Sequence, residues 1–360
     1  VKRYIVLGLG AVLIGCAPEQ EDEEPEPEPG DDSQPEEEEE PDADNEEFEA
    51  LITDLDAPWS IAKTDDEEFF ITERSGSIVH YDGEDVSREE VELEEEVWEE
   101  GEGGFLGMVF DPNHDDEAIV YHTYEDGSEV FNRIVTMERS DDGWQETDVL
   151  LDEIPGDTIH NGGRLAIGPD DHLYATTGDA DVEELSQDPE NLAGNILRME
   201  LDGSVPDDNP FEDSYVYSYG HRNPQGIDWA EDGTMFSSEH GPTGQDEVNE
   251  IEAGSNYGWP EITGDEEAEG METPLFQSGD DTWAPSGAAF SGEDFYVAGL
   301  AGEELMRFDV EAEEMEVVLE DEGRLRDVMI EGDNIYVLTN NTDGRGNPEE
   351  NDDRLLRLEN

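Results

Sequence analysis

The sequence predicts an all-β fold, a six-bladed β-propeller over residues 48–360. One pattern recurs six times: an apolar strand, an acidic or Gly-containing turn, then a second apolar strand. The copies stand about 40–60 residues apart, which is the length of a propeller blade. No long segment sustains the periodicity of an amphipathic helix.

The first copy is IAKTDDEEFFITE (61–73), where apolar residues flank a run of acids. Its β-branched and aromatic residues suit a pleated, packed surface. The second is MVFDPNHDDEAIVYHTY (108–124) and the third LAIGPDDHLYATT (165–177), both turning on Pro and acids. The fourth, IDWAEDGTMFSSE (227–239), turns at Asp-Gly. The fifth is AAFSGEDFYVAG (288–299) and the sixth VMIEGDNIYVLT (328–339). Two β-sandwiches would use similar strands, but six evenly matched units favour the propeller. Propellers carry function on loops around one mouth of the central channel.

Two segments precede the repeats. Residues 1–16 read VKRYIVLGLGAVLIGC: a basic start, then an apolar run too short to span a bilayer as a stable helix. Leu13-Ile14-Gly15-Cys16 resembles a lipobox, so residues 1–16 are expected to be a lipoprotein signal peptide. Cys16 is the sole cysteine, which excludes an intrachain disulfide; its expected role is to carry lipid and hold the protein to the membrane, outside the cytoplasm. Residues 17–47 are Glu, Asp and Pro with almost no apolar content, expected to be a disordered, self-repelling tether.

The formal net charge is -88, and residues 51–360 alone hold 85 acids against 14 bases. At low ionic strength such a domain repels itself strongly. Molar salt shortens the Debye length to ~3 Å and screens that repulsion, so the composition points to a halophile's protein. Nucleic acid is excluded as a partner, because binding phosphates needs a basic surface.

Among so few bases, Arg222 stands out. It lies beside Asn223 in the polar segment 218–259, ahead of Gly241-Pro242 and the acids Asp246 and Glu247. A guanidinium offers a rigid fork of donors for carboxylates and quinone oxygens. A turn frees backbone carbonyls, and hard cations such as calcium prefer oxygen ligands. His160, in the Gly-rich loop before the third repeat, is a candidate general base because imidazole titrates near neutrality. Zinc, nucleotide and hydrolase motifs (HExxH, the P-loop, GxGxxG, GxSxG) are absent.

Ordered motifs across residues 50–360 resemble the soluble PQQ-dependent aldose sugar dehydrogenases, the glucose/sorbosone dehydrogenase family. They are DLDAPWSIA (54–62), GEGGFLGMVFDPN (101–113), HNGGRLAIGPD (160–170) and QDPENLAGNILRM (187–199). YGHRNPQG (219–226), SSEHGPTGQDEVNEI (237–251), NYGWP (256–260), WAPSG (283–287) and GRLRDV (323–328) complete the series. The resemblance implies a PQQ- and calcium-dependent oxidation of an aldose to its lactone, with electrons passed to an external acceptor. It implies that His160 takes the proton of the anomeric hydroxyl while hydride moves to the quinone, and that Arg222 bonds the quinone oxygen. Asn223, Arg324 and Arg326 match groups that hold the cofactor. The carbonyls of Gly241 and Pro242 match ligands of a calcium that bridges protein and PQQ. Glu247 and the Tyr257 carbonyl match a second, structural calcium site, and Asp246 is expected among the metal-binding residues. Asp179 and Gln187 fall near substrate or cofactor.

The chain departs from the family twice. Ala301 stands where glucose-oxidising members have a Lys, and Glu102, expected among the cofactor-binding residues, stands where some members have Gln, a change that alters the sugar contact. Two other readings compete with the dehydrogenase: a non-catalytic sugar- or partner-binding propeller, and a calcium-dependent lactonase.

Overall fold

A computed structural model describes residues 48–64, 68–114 and 116–359. The expected signal peptide, the lipid-bearing Cys16 and the tether lie outside these residues.

The fold is the expected six-bladed propeller. Strand β1 (Glu49–Ile52) comes first, then blade one: β2 (Pro58–Lys63), β3 (Phe69–Glu73), β4 (Ser77–Tyr81) and β5 (Val86–Glu89). The short β6 (Val91–Glu92) leads to blade two, β7 (Phe105–Phe110), β8 (Glu117–Asp126), β9 (Glu129–Ser140) and β10 (Gly143–Gly156), and pairs in parallel with β10. Blade three is β11 (Leu165–Ile167), β12 (Leu173–Thr177), β13 (Asn195–Met199) and β14 (Val216–Tyr219). Blade four is β15 (Pro224–Trp229), β16 (Met235–Glu239), β17 (Glu247–Ile251) and β18 (Phe276–Gln277). Blade five is β19 (Pro285–Ser291), β20 (Asp294–Gly299), β21 (Leu305–Asp309) and β22 (Glu314–Leu319). Blade six is β23 (Leu325–Glu331), β24 (Asn334–Thr339) and β25 (Leu355–Glu359), completed by β1, which pairs antiparallel with β25. The chain's first strand thus closes the ring through its last.

Each sequence repeat is the hairpin of a blade's two inner strands. The innermost strands touch in a closed circle, β2 to β7, β11, β15, β19, β23 and back to β2. A blade buries both faces against its neighbours, and six apolar clusters fill the six interfaces. Phe70, Phe105, Met108 and Trp144 pack between blades one and two. Tyr174, Ile196, Ile227 and Met235 pack between three and four. Ile52, Ile61, Phe69 and Leu338 seal six against one. Truncating any fully buried member to Ala costs about 2–5 kcal/mol.

Across the channel, Arg164 of the loop entering β11 donates to the Gln225 carbonyl at 2.8 Å and to Asp327 at 2.9 Å. This buried pair ties blade three to blades four and six. The loops entering the innermost strands, and those leaving the second strands, gather at one mouth of the channel.

Candidate functional site

His160 lies midway along the loop into blade three with φ +57°, a left-handed conformation uncommon for a residue with a side chain. The loop tolerates it because two glycines let backbone pass closely. A Cβ on Gly178 would lie 1.9 Å from the His160 carbonyl, and one on Gly162 would lie 2.5 Å from the Thr176 carbonyl. The His160 side chain is nearly buried, and its Nδ1 pairs with Asp179 Oδ1 at 2.7 Å. Asp179 is fully buried and also accepts from the Trp259 indole N–H (2.8 Å) and the Asp181 amide (2.9 Å). A carboxylate facing three donors fixes the proton on Nδ1 and leaves Nε2 as the basic atom.

Glu102, from the loop into blade two, accepts from the His160 amide at 2.9 Å and from Arg345 at 2.9 Å. Burial alone would raise its carboxyl, but His240, the His160 amide and Arg345 outweigh burial and hold it at about 2. Asn223 receives the Gly162 amide on Oδ1 at 3.0 Å, which joins blades three and four at the channel.

Arg222 has no carboxylate within ion-pair distance among the described residues. It donates to the carbonyls of Gly241 (2.7 Å) and His240 (3.3 Å), its guanidinium lies 5.3 Å from the Trp259 ring, and its Nε is buried without a partner. Among the described residues, the Arg74 side chain, just after β3, donates only to the carbonyls of Gly101 and Gly103. Burial lowers the Arg74 pKa, and it brings that of Arg326 down to about 9. Arg326 bonds Asn340 (2.9 Å) and Gln225 (3.1 Å). Arg324 bonds Asp343 (3.0 Å) and the Leu300 carbonyl (3.1 Å), with its Nε unpartnered. Trp59, Arg74, Glu102, Gln225, His240 and Arg326 line a narrow cleft with Leu300, Asp343 and Arg345. Asp343 is the one carboxylate that pairs with Arg324 (3.0 Å) and Arg326 (3.8 Å) among the described residues, so the guanidinium groups gathered at this mouth outnumber the acids that pair with them and suit an anionic ligand with oxygen acceptors. A quinone bearing carboxylates fits that donor set.

A second, small cavity adjoins this cleft and shares His240 with it. It is lined by Glu239, His240, Gly241, Pro242, Glu247 and Tyr257, among others. Glu239 and Glu247 are directly paired across β16 and β17, and both are buried. Burial, then the charge of Glu239, pushes Glu247 up to about 8. Two opposed carboxylates beside a carbonyl-bearing turn form an all-oxygen donor set that fits calcium. Asp246 has a different employment: it accepts from the Gly241, Trp283 and Ala284 amides and from Thr282 Oγ1, at 2.7–2.9 Å. It braces the turn that presents Gly241. Gln187 likewise holds the neighbouring loop, donating to the Trp259 carbonyl at 2.6 Å.

Ser218, His221 and Glu239 form a chain of side chains (2.9 and 3.1 Å) with the order of a hydrolase triad. All three are buried, and Glu239 receives the Arg222 amide at 2.9 Å. The chain therefore positions Arg222 and offers no accessible nucleophile. Wider grooves at the opposite strand ends, one lined by Glu231, Asp232, Glu250, Glu293 and Glu311, hold no base and no Arg.

The segment 218–259 spans the exit of blade three and the first three strands of blade four. It brings together Arg222, Asn223, Gly241, Pro242, Glu247 and Tyr257, and His160 and Glu102 join them from neighbouring blades. Sequence reasoning missed Arg74, His240, Asp343 and Arg345. The available signal was the rarity of bases, which singles out every Arg, and the turn residues of Asp343-Gly344-Arg345-Gly346.

The family described as Glucose / Sorbosone dehydrogenase matches residues 55–357. Quinoprotein glucose dehydrogenase B of Acinetobacter calcoaceticus is 31% identical over 255 residues, 61% of this chain; the match spans 53% of that relative. Aldose sugar dehydrogenase YliI of Escherichia coli is 29% identical over 82% of this chain and 90% of its own length. The PQQ-bound form of the aldose sugar dehydrogenase from Streptomyces coelicolor is similar in structure, with a TM-score of 0.82 and 38% identity over 87% of this chain and 98% of that one.

Proposed function

The chain belongs to the glucose/sorbosone dehydrogenase family, and we propose that it oxidises an aldose at its anomeric carbon to the lactone, using PQQ and calcium. One observation carries the reading: a carboxylate-oriented imidazole shares a channel mouth with a guanidinium that has no acidic partner among the described residues. When bound, the quinone supplies the two-electron acceptor for the hydride that leaves the sugar carbon.

The protein's own groups have distinct tasks. His160 Nε2 takes the proton of the anomeric hydroxyl, and Asp179 stabilises the imidazolium that results. Arg222 places positive charge where an oxygen becomes negative, and Trp259 and two carbonyls hold it there in advance. Arg326 and Arg324 lie deeper and offer donors to carboxylates. Asn223 fixes the loop of His160 to that of Arg222. Glu102 is ionised, so it suits a sugar hydroxyl better than an anionic cofactor. Gly241 and Pro242 would give carbonyl oxygens to one calcium, and Glu247 with the Tyr257 carbonyl would hold a second.

The lipobox-like LIGC and the acidic segment after it support an extracytoplasmic, lipid-anchored protein. Partition of the full chain into detergent, lost in Cys16→Ser, tests that placement. For the chemistry, the purified protein in molar salt is given PQQ and calcium, and dye reduction is followed with a panel of aldoses. Turnover that needs both PQQ and an aldose supports the reading. No turnover with any aldose, despite bound PQQ, would overturn it.

A further inference from the structure

Within that reading, we propose that Arg345 is a carboxylate anchor for the anionic cofactor, and that it replaces the cation this chain lacks at Ala301. The blade-five loop brings no charge to the cleft. Its amides at Leu300, Ala301 and Gly302 are spent on the carbonyls of Ala284 and Trp283, and its Leu300 carbonyl accepts from Arg324. The cleft nonetheless contains a guanidinium in addition to the buried ones, and Arg345 supplies it from the β24–β25 loop.

The geometry of that loop delivers Arg345 to the mouth. Asp343 accepts the Arg345 amide on Oδ1 at 2.9 Å and Arg324 on Oδ2 at 3.0 Å. Gly344, with φ +84°, makes the turn between them. One buried carboxylate thus pins the turn to the channel wall and sends the Arg345 side chain across the opening. There its partner is Glu102 Oε1, at 2.9 Å, and the Arg345 side chain is 46% exposed. Glu102 occupies only Nη1 of the guanidinium, and among the described residues no hydrogen bond engages Nε or Nη2, so a cofactor carboxylate can dock on that free edge with the Glu102 pair intact. The planar fork of Arg then allows a bidentate grip that a Lys at position 301 could not give. In a protein with 104 acids and 16 bases, a solvent-reaching Arg has many surface acids within reach, yet this one faces the cleft.

The test is PQQ affinity, read by equilibrium dialysis and by quenching of Trp fluorescence, with no substrate present. Arg345→Ala should weaken PQQ binding roughly 10- to 100-fold, as loss of a hydrogen bond to a charged group does. Arg345→Lys should fall between the two. Adding Ala301→Lys to Arg345→Ala should recover most of the loss, which a variant that merely misfolded would not do. The PQQ triester, without carboxylates, should bind wild type and Arg345→Ala alike. If wild type binds PQQ and Arg345→Ala binds it equally well, the anchor is refuted while the cofactor reading stands. If wild type does not bind PQQ, the cofactor reading fails and the anchor with it.

Discussion

Replacing Asp179 with Asn removes a charge and almost no volume, so its effect comes from hydrogen bonding and electrostatics alone. The carboxylate receives three donors: His160 Nδ1–H at 2.7 Å, the Trp259 indole N–H at 2.8 Å and the Asp181 amide at 2.9 Å. An amide has one acceptor oxygen and one donor group, so either orientation meets a buried donor with a donor. That mismatch costs about 1–3 kcal/mol of stability. If the NH₂ faces His160, the ring must accept at Nδ1, its proton moves to Nε2, and the base is lost. If the NH₂ faces Trp259, the tautomer survives but the imidazolium loses its counter-charge. The two orientations bracket a fall in kcat of about 10²–10⁴-fold. Asp179 does not line the cation cleft, so PQQ affinity should be nearly unchanged. Steady-state dye reduction and PQQ binding, measured side by side, separate the effects. A kcat within about threefold of wild type would refute the orienting role of Asp179.

Arg222→Ala should lower kcat by about 10²–10³-fold, as loss of a donor aimed at a developing oxyanion does, in the same dye assay. Chelation of calcium should lower the melting temperature; restored calcium at about 100 Kd should return about 2.7 kcal/mol, and Glu247→Gln should abolish most of that gain. Glu102 lies at about 2 against an ordinary 4.5, an offset equivalent to at most about 3 kcal/mol. A depressed carboxyl stabilises fully above pH ~4.5 and loses that contribution as pH falls toward 2. Glu102→Gln should therefore destabilise more at pH 7 than at pH 3 in denaturant titrations. Finally, the melting temperature should climb between ~0.1 and ~1 M salt, as the Debye length falls from ~10 to ~3 Å.

The propeller was legible because its hairpins are local: strand, turn and strand lie within about 17 residues, and turn chemistry marks each one. Ring closure was not, since β1 finds β25 across the whole chain and no local signal records the pairing. Arg222 and Asn223 stood out by chemistry, and the family motifs gave His160 its expected role, while its partners Asp179 and Glu102 appear only in the fold. Asp343 and Arg345 escaped for a physical reason. Their roles arise from contacts distant in sequence, from Arg345 to Glu102, 243 residues away, and from Asp343 to Arg324 across the β23–β24 hairpin, while their sequence context reads as a plain turn. Asp246 shows the converse. Its sequence position suggests a metal ligand, but four donors from two loops already engage it, which only the folded arrangement reveals.

The most direct measurement is a single turnover. Protein loaded with PQQ and calcium is mixed anaerobically with an aldose, without electron acceptor, and the cofactor spectrum is recorded over time. Wild type should convert one equivalent of bound PQQ from the oxidised to the reduced spectrum and release one equivalent of lactone. His160→Ala should bind PQQ as tightly and show almost no conversion. Conversion at the wild-type rate in His160→Ala, or no conversion in wild type with PQQ bound, would contradict His160-assisted oxidation of the sugar.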